Sequence, residues 1–353
     1  MSAATTLEAY LNSYRAANGG TDSARGDIAA VISGLAKASV QIRNLINQGA
    51  LGTAFAGKRG SANADGDIQR DLDVVADDMF LSAMRECPVA LYASEELDNP
   101  VLLSREASLA IAIDPLDGSS NIDTNVSIGT IFSILPVAGD PAASPVATFM
   151  QPGTSQLASG FFIYGPQLAL VLTLGQGTAI FVFSTRLGSF VQAYKSVSIP
   201  EEAREFAVNA SNYRHWDGAV RCYVDDCLAG CEGPRECDFN MRWIASLVAD
   251  TYRILIRGGV FLYPGDGRKN YAHGRLRLVY EANPIAFLVE QAGGAATDTT
   301  RRILEIVPES LHQRTPLVHG SKKEVIRIGR YHSEPGMISE RSPLFGKRGL
   351  FRA

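Results

Sequence analysis

Asp114 and Asp117 frame Pro115-Leu116 at the end of an apolar run, Leu109-Ala110-Ile111-Ala112-Ile113. A buried strand that delivers one carboxylate to its end, a proline that stiffens the turn, and a second carboxylate three residues on would place two hard oxygen donors within reach of shared divalent ions. Gly118 permits a close backbone approach, and Ser119-Ser120-Asn121 can open a helix whose free N–H groups face a phosphate. One short segment can therefore hold both metal and phosphate ester. A polar turn with an N-cap accounts for Asp117-Gly118-Ser119-Ser120 taken alone, but not for two aspartates around Pro-Leu at the mouth of a strand.

Further carboxylates recur at the ends of expected elements. Asp65, Asp67, Asp71 and Asp73 cluster near the start of one helix, Glu95-Glu96 follows the apolar run Val89–Ala93, Asp123 closes the Asp114 segment, and Glu281 is expected at the end of a strand Leu276–Tyr280. Any one cluster is ordinarily a solvated surface feature. Several converging at strand ends point to a multi-ion site.

The elements that must position these groups are legible in the apolar periodicity. Asp27 to Gly49 reads as an amphipathic helix with Asp27 as its cap, and Gln69 to Met84 as a second. Strands are expected at 89–93, 109–113, 128–135, 157–164, 168–174 and 178–183, the last three forming an antiparallel meander broken by Gly165-Pro166 and Gly175-Gln176-Gly177. After a polar stretch near Lys195–Glu202, helices are expected at 218–229, 241–256 and 284–292, with strands at 260–263 and 276–280. At 353 residues, 46% of them hydrophobic, the chain is too long for one core, so two lobes are expected, 1–195 and 196–353, with a loosely held tail from about 333.

A net charge of −4 favours a cation over a nucleic acid as partner. The start of the chain has no basic-then-apolar segment and no apolar run is long enough to span a bilayer, so a cytoplasmic location without membrane contact is expected. Cys87, Cys222, Cys227, Cys231 and Cys237 are odd in number and match no common zinc or iron–sulfur spacing, which favours reduced thiols. The five histidines form no ligand spacing and read as structural.

The segment Asp114-Pro-Leu-Asp-Gly-Ser-Ser-Asn-Ile-Asp123 resembles the signature of class I fructose-1,6-bisphosphatases. Gly66-Asp67, Leu72-Asp73, Ser94-Glu95-Glu96, Gly258–Pro264, Arg275–Pro284 and Glu290–Gly294 follow the same family in order, from about the Asp27 helix to about Lys323. The resemblance implies a mixed α/β fold layered α/β/α/β/α, with two sheet-containing lobes. It implies several Mg²⁺ ions, with Mn²⁺ able to stand in, bound by Asp67, Glu95, Asp114, Asp117 and Glu281 and by the Leu116 carbonyl. Asp117, Gly118, Ser119 and Ser120 would surround the phosphate that is removed, and Asn209, Arg242, Trp243, Tyr263 and Arg275 the distal phosphate and sugar. Asp73, Glu96 and Asp67 would serve the attacking water. The implied reaction is hydrolysis of the 1-phosphate of fructose 1,6-bisphosphate, and the implied assembly is a homo-oligomer, a tetramer in which Arg242 reaches the neighbouring site.

Departures from the family pattern carry information. Trp243 stands where many relatives have tyrosine, and Arg275 where many have lysine, a planar fork in place of a compact ammonium. The positions of the animal AMP site hold Arg25, Ala29, Ser108-Leu109 and Pro136, so AMP inhibition through that site is not expected. Sedoheptulose-1,7-bisphosphatase activity, alone or alongside, remains the nearest alternative substrate reading. An inositol-monophosphatase-type enzyme shares the Asp-Pro-x-Asp-Gly logic without needing the distal set. Pathway role, gluconeogenesis or carbon fixation, is not written in these residues.

Overall fold

Strands whose two faces are both apolar need cover on both sides, and alternating layers of helix and sheet supply it. The computed structural model describes residues 5–17, 23–48, 67–122, 124–269 and 271–334; within them the side chains of residues 67–71 lie outside the description. Helices α1 (Leu7–Ala16), α2 (Ser23–Ile46) and α3 (Asp67–Arg85) form the first layer. They cover a sheet built from β1 (Val89–Ser94), β2 (Val101–Leu102), β3 (Leu109–Asp117), β4 (Ile128–Pro136), β5 (Ala158–Tyr164), β6 (Leu168–Thr173), β7 (Thr178–Ser184) and β8 (Ser189–Val197). Its order is β2-β1-β3-β4-β5-β6-β7-β8, with only β1 and β3 parallel. Leu168, Leu170 and Leu172 of β6 pack toward the first helices. Ala169 and Val171 face the other way.

The second face packs on α5 (Leu247–Arg257) and α6 (Asn283–Gln291), whose Val248, Ile254, Ile285 and Leu288 share one core with it and with the next sheet. That sheet comprises β9 (Glu205–Val208), β10 (Asn240–Met241), β11 (Val260–Tyr263), β13 (Ala295–Thr297) and β15 (Leu317–Gly320), ordered β10-β9-β11-β15-β13. Two short strands, β12 (Leu276–Arg277) and β14 (Arg314–Thr315), pair separately. The outermost layer is α4 (Gly218–Ala229) and α7 (Lys322–Ser333), which bury Val220, Tyr223, Val325 and Ile328 against β9, β11 and β15. The result is the layered α/β/α/β/α arrangement.

Several boundaries differ from the sequence expectation. Helix α2 starts at Ser23, so Asp27 lies inside it and is not its cap. Met241 belongs to β10, and α5 begins only at Leu247, where the Ser246 hydroxyl caps it by accepting from the Ala249 N–H at 3.4 Å. The strand expected to end at Tyr280 stops at Arg277, and residues Leu278–Ala282 make a π-helical turn that feeds α6. Glu281 therefore sits on a helical turn and not at a strand end. The tail expected from about 333 lies, from residue 335 on, outside the described residues.

Candidate active site

In a regular strand, residues three apart point to opposite faces. Asp114 and Asp117 escape that geometry because β3 bulges. Asp114 pairs with Ile131 and Asp117 with Gly129, so three steps on β3 oppose two on β4. The extra residue returns both carboxylates to one face. Pro115 sits inside the bulge, where its missing N–H costs no ladder bond, and its carbonyl accepts from the Thr130 hydroxyl at 2.8 Å. Strand β3 thus continues through the motif, and the helix expected at Ser119 is a single 3₁₀ turn, Ser119–Asn121. Gly118 turns the chain into it at φ 76°, a left-handed conformation that glycine adopts at no steric cost.

Helix α5 reaches the same place from the other side. The Val248 N–H in its first turn donates to Asp117 Oδ2 at 3.1 Å. Gly129 makes that approach possible: a Cβ there would lie 2.3 Å from the Phe162 carbonyl oxygen and 2.6 Å from a Val248 methyl. Glu281 arrives on the π turn, a distortion frequently found at functional sites, and accepts from the Arg277 N–H at 2.6 Å.

Carboxylate oxygens of Asp114, Asp117 and Glu281, all three residues buried, lie within 4.8 Å of one another. Glu95, just beyond β1, joins them and is ion-paired with the Arg277 guanidinium. Burial raises Asp114 well above the usual carboxylate range, and the charges of Glu95, Asp117 and Glu281 push it further. Burial likewise lifts Asp117 from 3.8 to about 7, although the Val248 N–H opposes the shift. Glu281 is raised well above its ordinary value by burial, then by Glu95 and Asp117. Glu95 is raised by burial against the pull of Arg277. Like charges gathered out of water ask for a countercharge. An all-oxygen donor set of this kind suits a hard divalent cation.

Asp73 on α3 flanks this cluster. Burial and then the Glu96 charge lift it from 3.8 to about 7, with the Ser119 side chain opposing, and its buried Oδ1 has no hydrogen-bond partner. Glu96 itself is exposed. Leu116 is buried between the two aspartates, its N–H donating to Asp114 Oδ1 at 3.1 Å. Ser120 is exposed. Asp67 opens α3, but its side chain and that of Asp71 lie outside the description, as do residues Asp65 and Asp123 altogether.

A second group gathers at the end of β11. Asn209, Tyr263 and Arg275 line one small pocket, and the Glu281 charge acts on Tyr263, which links the two groups. Trp243 stacks on Tyr263, centroids 6.1 Å apart and planes 13° apart. Arg242 lies outside this pocket with its side chain 50% exposed, 3.8 Å from Glu205. Arg277, absent from the expected site residues, brings a cation to the carboxylates: it is ion-paired with Glu95 and its charge acts on Glu281. Its signal was the alternation Arg275-Leu276-Arg277-Leu278, which puts both arginines on one face.

The sequence matches the family description "Fructose-1-6-bisphosphatase, N-terminal domain" over residues 15–195 and "Fructose-1-6-bisphosphatase, C-terminal domain" over residues 199–333. The chain belongs to the fructose-1,6-bisphosphatase family. A relative named fructose-1,6-bisphosphatase class 1 from Rhizobium meliloti is 70% identical over 348 residues, covering 99% of each chain. Another so named, from Azorhizobium caulinodans, is 53% identical over 328 residues, 93% of this chain and 99% of its own. The crystal structure of Leishmania major fructose-1,6-bisphosphatase in holo form superposes with a TM-score of 0.83 at 33% identity, covering 94% of this chain and 99% of that one. Within this fructose-1,6-bisphosphatase fold, the buried carboxylates lie where the two sheets are bridged by α5 and α6.

Proposed function

We propose that this chain removes the 1-phosphate of fructose 1,6-bisphosphate, releasing fructose 6-phosphate and phosphate, and that magnesium is its metal. The observation that carries this reading is the convergence of buried Asp114, Asp117 and Glu281 within 4.8 Å of one another, with Glu95 from a third element beside Asp114. In the proposal these four hold the metal ions together with Asp67 and the Leu116 carbonyl. Magnesium, when bound, supplies charge neutralisation of the phosphate and activation of water for in-line attack.

The chain's own groups do the rest. Asp117, Gly118, Ser119 and Ser120 cradle the departing phosphate, the glycine giving it room to approach the backbone. Asp73, poised near neutrality and flanked by Glu96, takes up the proton of the attacking water, with Asp67 at the head of the same helix assisting. Asn209, Tyr263 and Arg275 receive the distal phosphate, with Trp243 backing Tyr263. Arg242, half exposed and outside that pocket, reaches the site of a neighbouring subunit in a homotetramer. The proposal includes a cytoplasmic enzyme of two lobes, 1–195 and 196–353, a division supported by the two matched ranges. Among the described residues no helix is long and apolar enough to cross a membrane. Glu95→Gln tests the assignment: turnover should vanish while the melting temperature stays near that of the parent, and near-normal phosphate release by the purified variant would refute it.

A further inference from the structure

The distal pocket contains a feature that the roles given above do not use. Its cavity volume is about 10 Å³, room for about one water molecule and not for a phosphate group. Asp266 lines it with a side chain only 5% exposed, and the carboxylate is gripped by Arg268. The guanidinium Nε lies 3.0 Å from Asp266 Oδ1 and 3.1 Å from Oδ2, Nη2 closes on Oδ2, and the Arg268 backbone N–H adds a further bond at 3.0 Å. Arg268 Nη2 also donates at 3.0 Å to Oδ1 of Asn212, another residue that lines the pocket. The loop is held in place around the pair. Gly267 N–H donates to the His215 carbonyl at 3.0 Å, and a Cβ on Gly265 would lie 2.5 Å from the Ala272 carbonyl oxygen. Arg268 and Arg275 both lie against the Tyr271 ring, 4.4 and 4.7 Å from its centroid, and Arg275 itself lines the pocket.

The geometry points to Arg268 as a specificity-determining residue for the distal phosphate, with Asp266 as its built-in competitor. This inference rests on the bisphosphatase reading. The Asp266 carboxylate occupies the fork that a phosphate would take, and the pocket opens when a phosphate displaces it. A phosphate monoester carries more negative charge and more acceptor oxygens than a carboxylate, so it wins the fork-shaped donor set. A sugar phosphate without a distal phosphate has nothing with which to displace Asp266. The pair therefore stays closed against sugar phosphates whose sole phosphate is the one to be removed, discrimination by an opposing element as well as by attraction.

Steady-state hydrolysis of fructose 1,6-bisphosphate by the full chain and two variants tests this. Arg268→Gln should raise KM about tenfold or more, with the loss falling on KM and not on kcat, because a charge-assisted bidentate contact is removed. Asp266→Asn should lower KM. A parental KM in Arg268→Gln overturns the inference. So does an Asp266→Asn variant whose KM rises as much as that of Arg268→Gln, since Asp266 would then merely orient the arginine. If Arg268→Gln fails to fold, Arg268→Lys keeps the charge without the fork and should still raise KM at an unchanged melting temperature; an unchanged KM contradicts the role. If the parent chain does not hydrolyse the bisphosphate at all, the proposed function fails. Calorimetric titration with inorganic phosphate then tests the Asp266–Arg268 gate on its own: tighter binding to Asp266→Asn than to the parent supports it, and equal binding overturns it.

Discussion

At the scale of single residues, the site gathers more carboxylates than the one cation paired with them, Arg277, can offset. Asp117 moves from 3.8 to about 7 on folding, and Asp114 and Glu281 move in the same direction. A carboxyl raised in the folded state adds stability while protonated and loses that contribution as pH rises toward its folded value. The magnesium-free chain should therefore lose stability from about pH 4 to about pH 7 on account of Asp117, Asp114 and Glu281 acting in the same direction, and metal should restore it most where these groups are ionised. The increment in melting temperature between magnesium and chelator is expected to be larger at pH 8 than at pH 6; an increment independent of pH contradicts this assignment of the charge. Much of the cluster was legible in residue type, because carboxylates at the ends of apolar runs are unusual enough to notice. Other parts were not. Leu116 would act through its backbone, which side-chain chemistry never advertises, and Arg277 hid in an ordinary alternating pattern. The pairing of Asp266 with Arg268 depends on the loop's path, which no local rule prescribes.

At the scale of elements, two local distortions aim the side chains. The β3 bulge turns Asp114 and Asp117 to one face, and the π turn 278–282 swings Glu281 toward them. Neither is visible in apolar periodicity, which places Glu281 at the end of a strand 276–280. Strand β8 has no such signal for another reason: Ala193, Tyr194, Lys195 and Ser196 are exposed in succession, with no buried alternation to read. The close approach of α5 to β4 is a testable consequence. Gly129→Ala forces a Cβ into contacts of 2.3 and 2.6 Å, so the helix must retreat and the Val248 N–H must leave Asp117. We expect a destabilisation of about 1–3 kcal/mol in denaturant melts, together with a higher magnesium requirement for turnover. A variant with parental stability and parental magnesium dependence would show that this contact does not position the aspartate.

At the scale of the whole molecule, the layered order of helices and sheets follows from strands that are apolar on both faces, and the sequence carried that order through most of its length. Assembly is a separate matter, since one chain's periodicity says nothing of its neighbours. Arg242 gives it a handle. Arg242→Ala should raise KM for the bisphosphate at least about tenfold, and sedimentation of the parent should give a tetramer. A monomeric parent with full activity would contradict the crossing role. The positions that resemble the animal AMP site, with Ala29 buried and Arg25 bonded to the Tyr14 carbonyl at 3.3 Å, predict turnover unchanged by millimolar AMP, and sub-millimolar inhibition would contradict this. The most direct measurement is phosphate release from fructose 1,6-bisphosphate by the purified chain, with magnesium and then with excess chelator. Release that requires magnesium, stops on chelation and disappears in Asp117→Asn is the predicted result; release indifferent to the metal, or intact in Asp117→Asn, would contradict a carboxylate-held metal site as the seat of the chemistry.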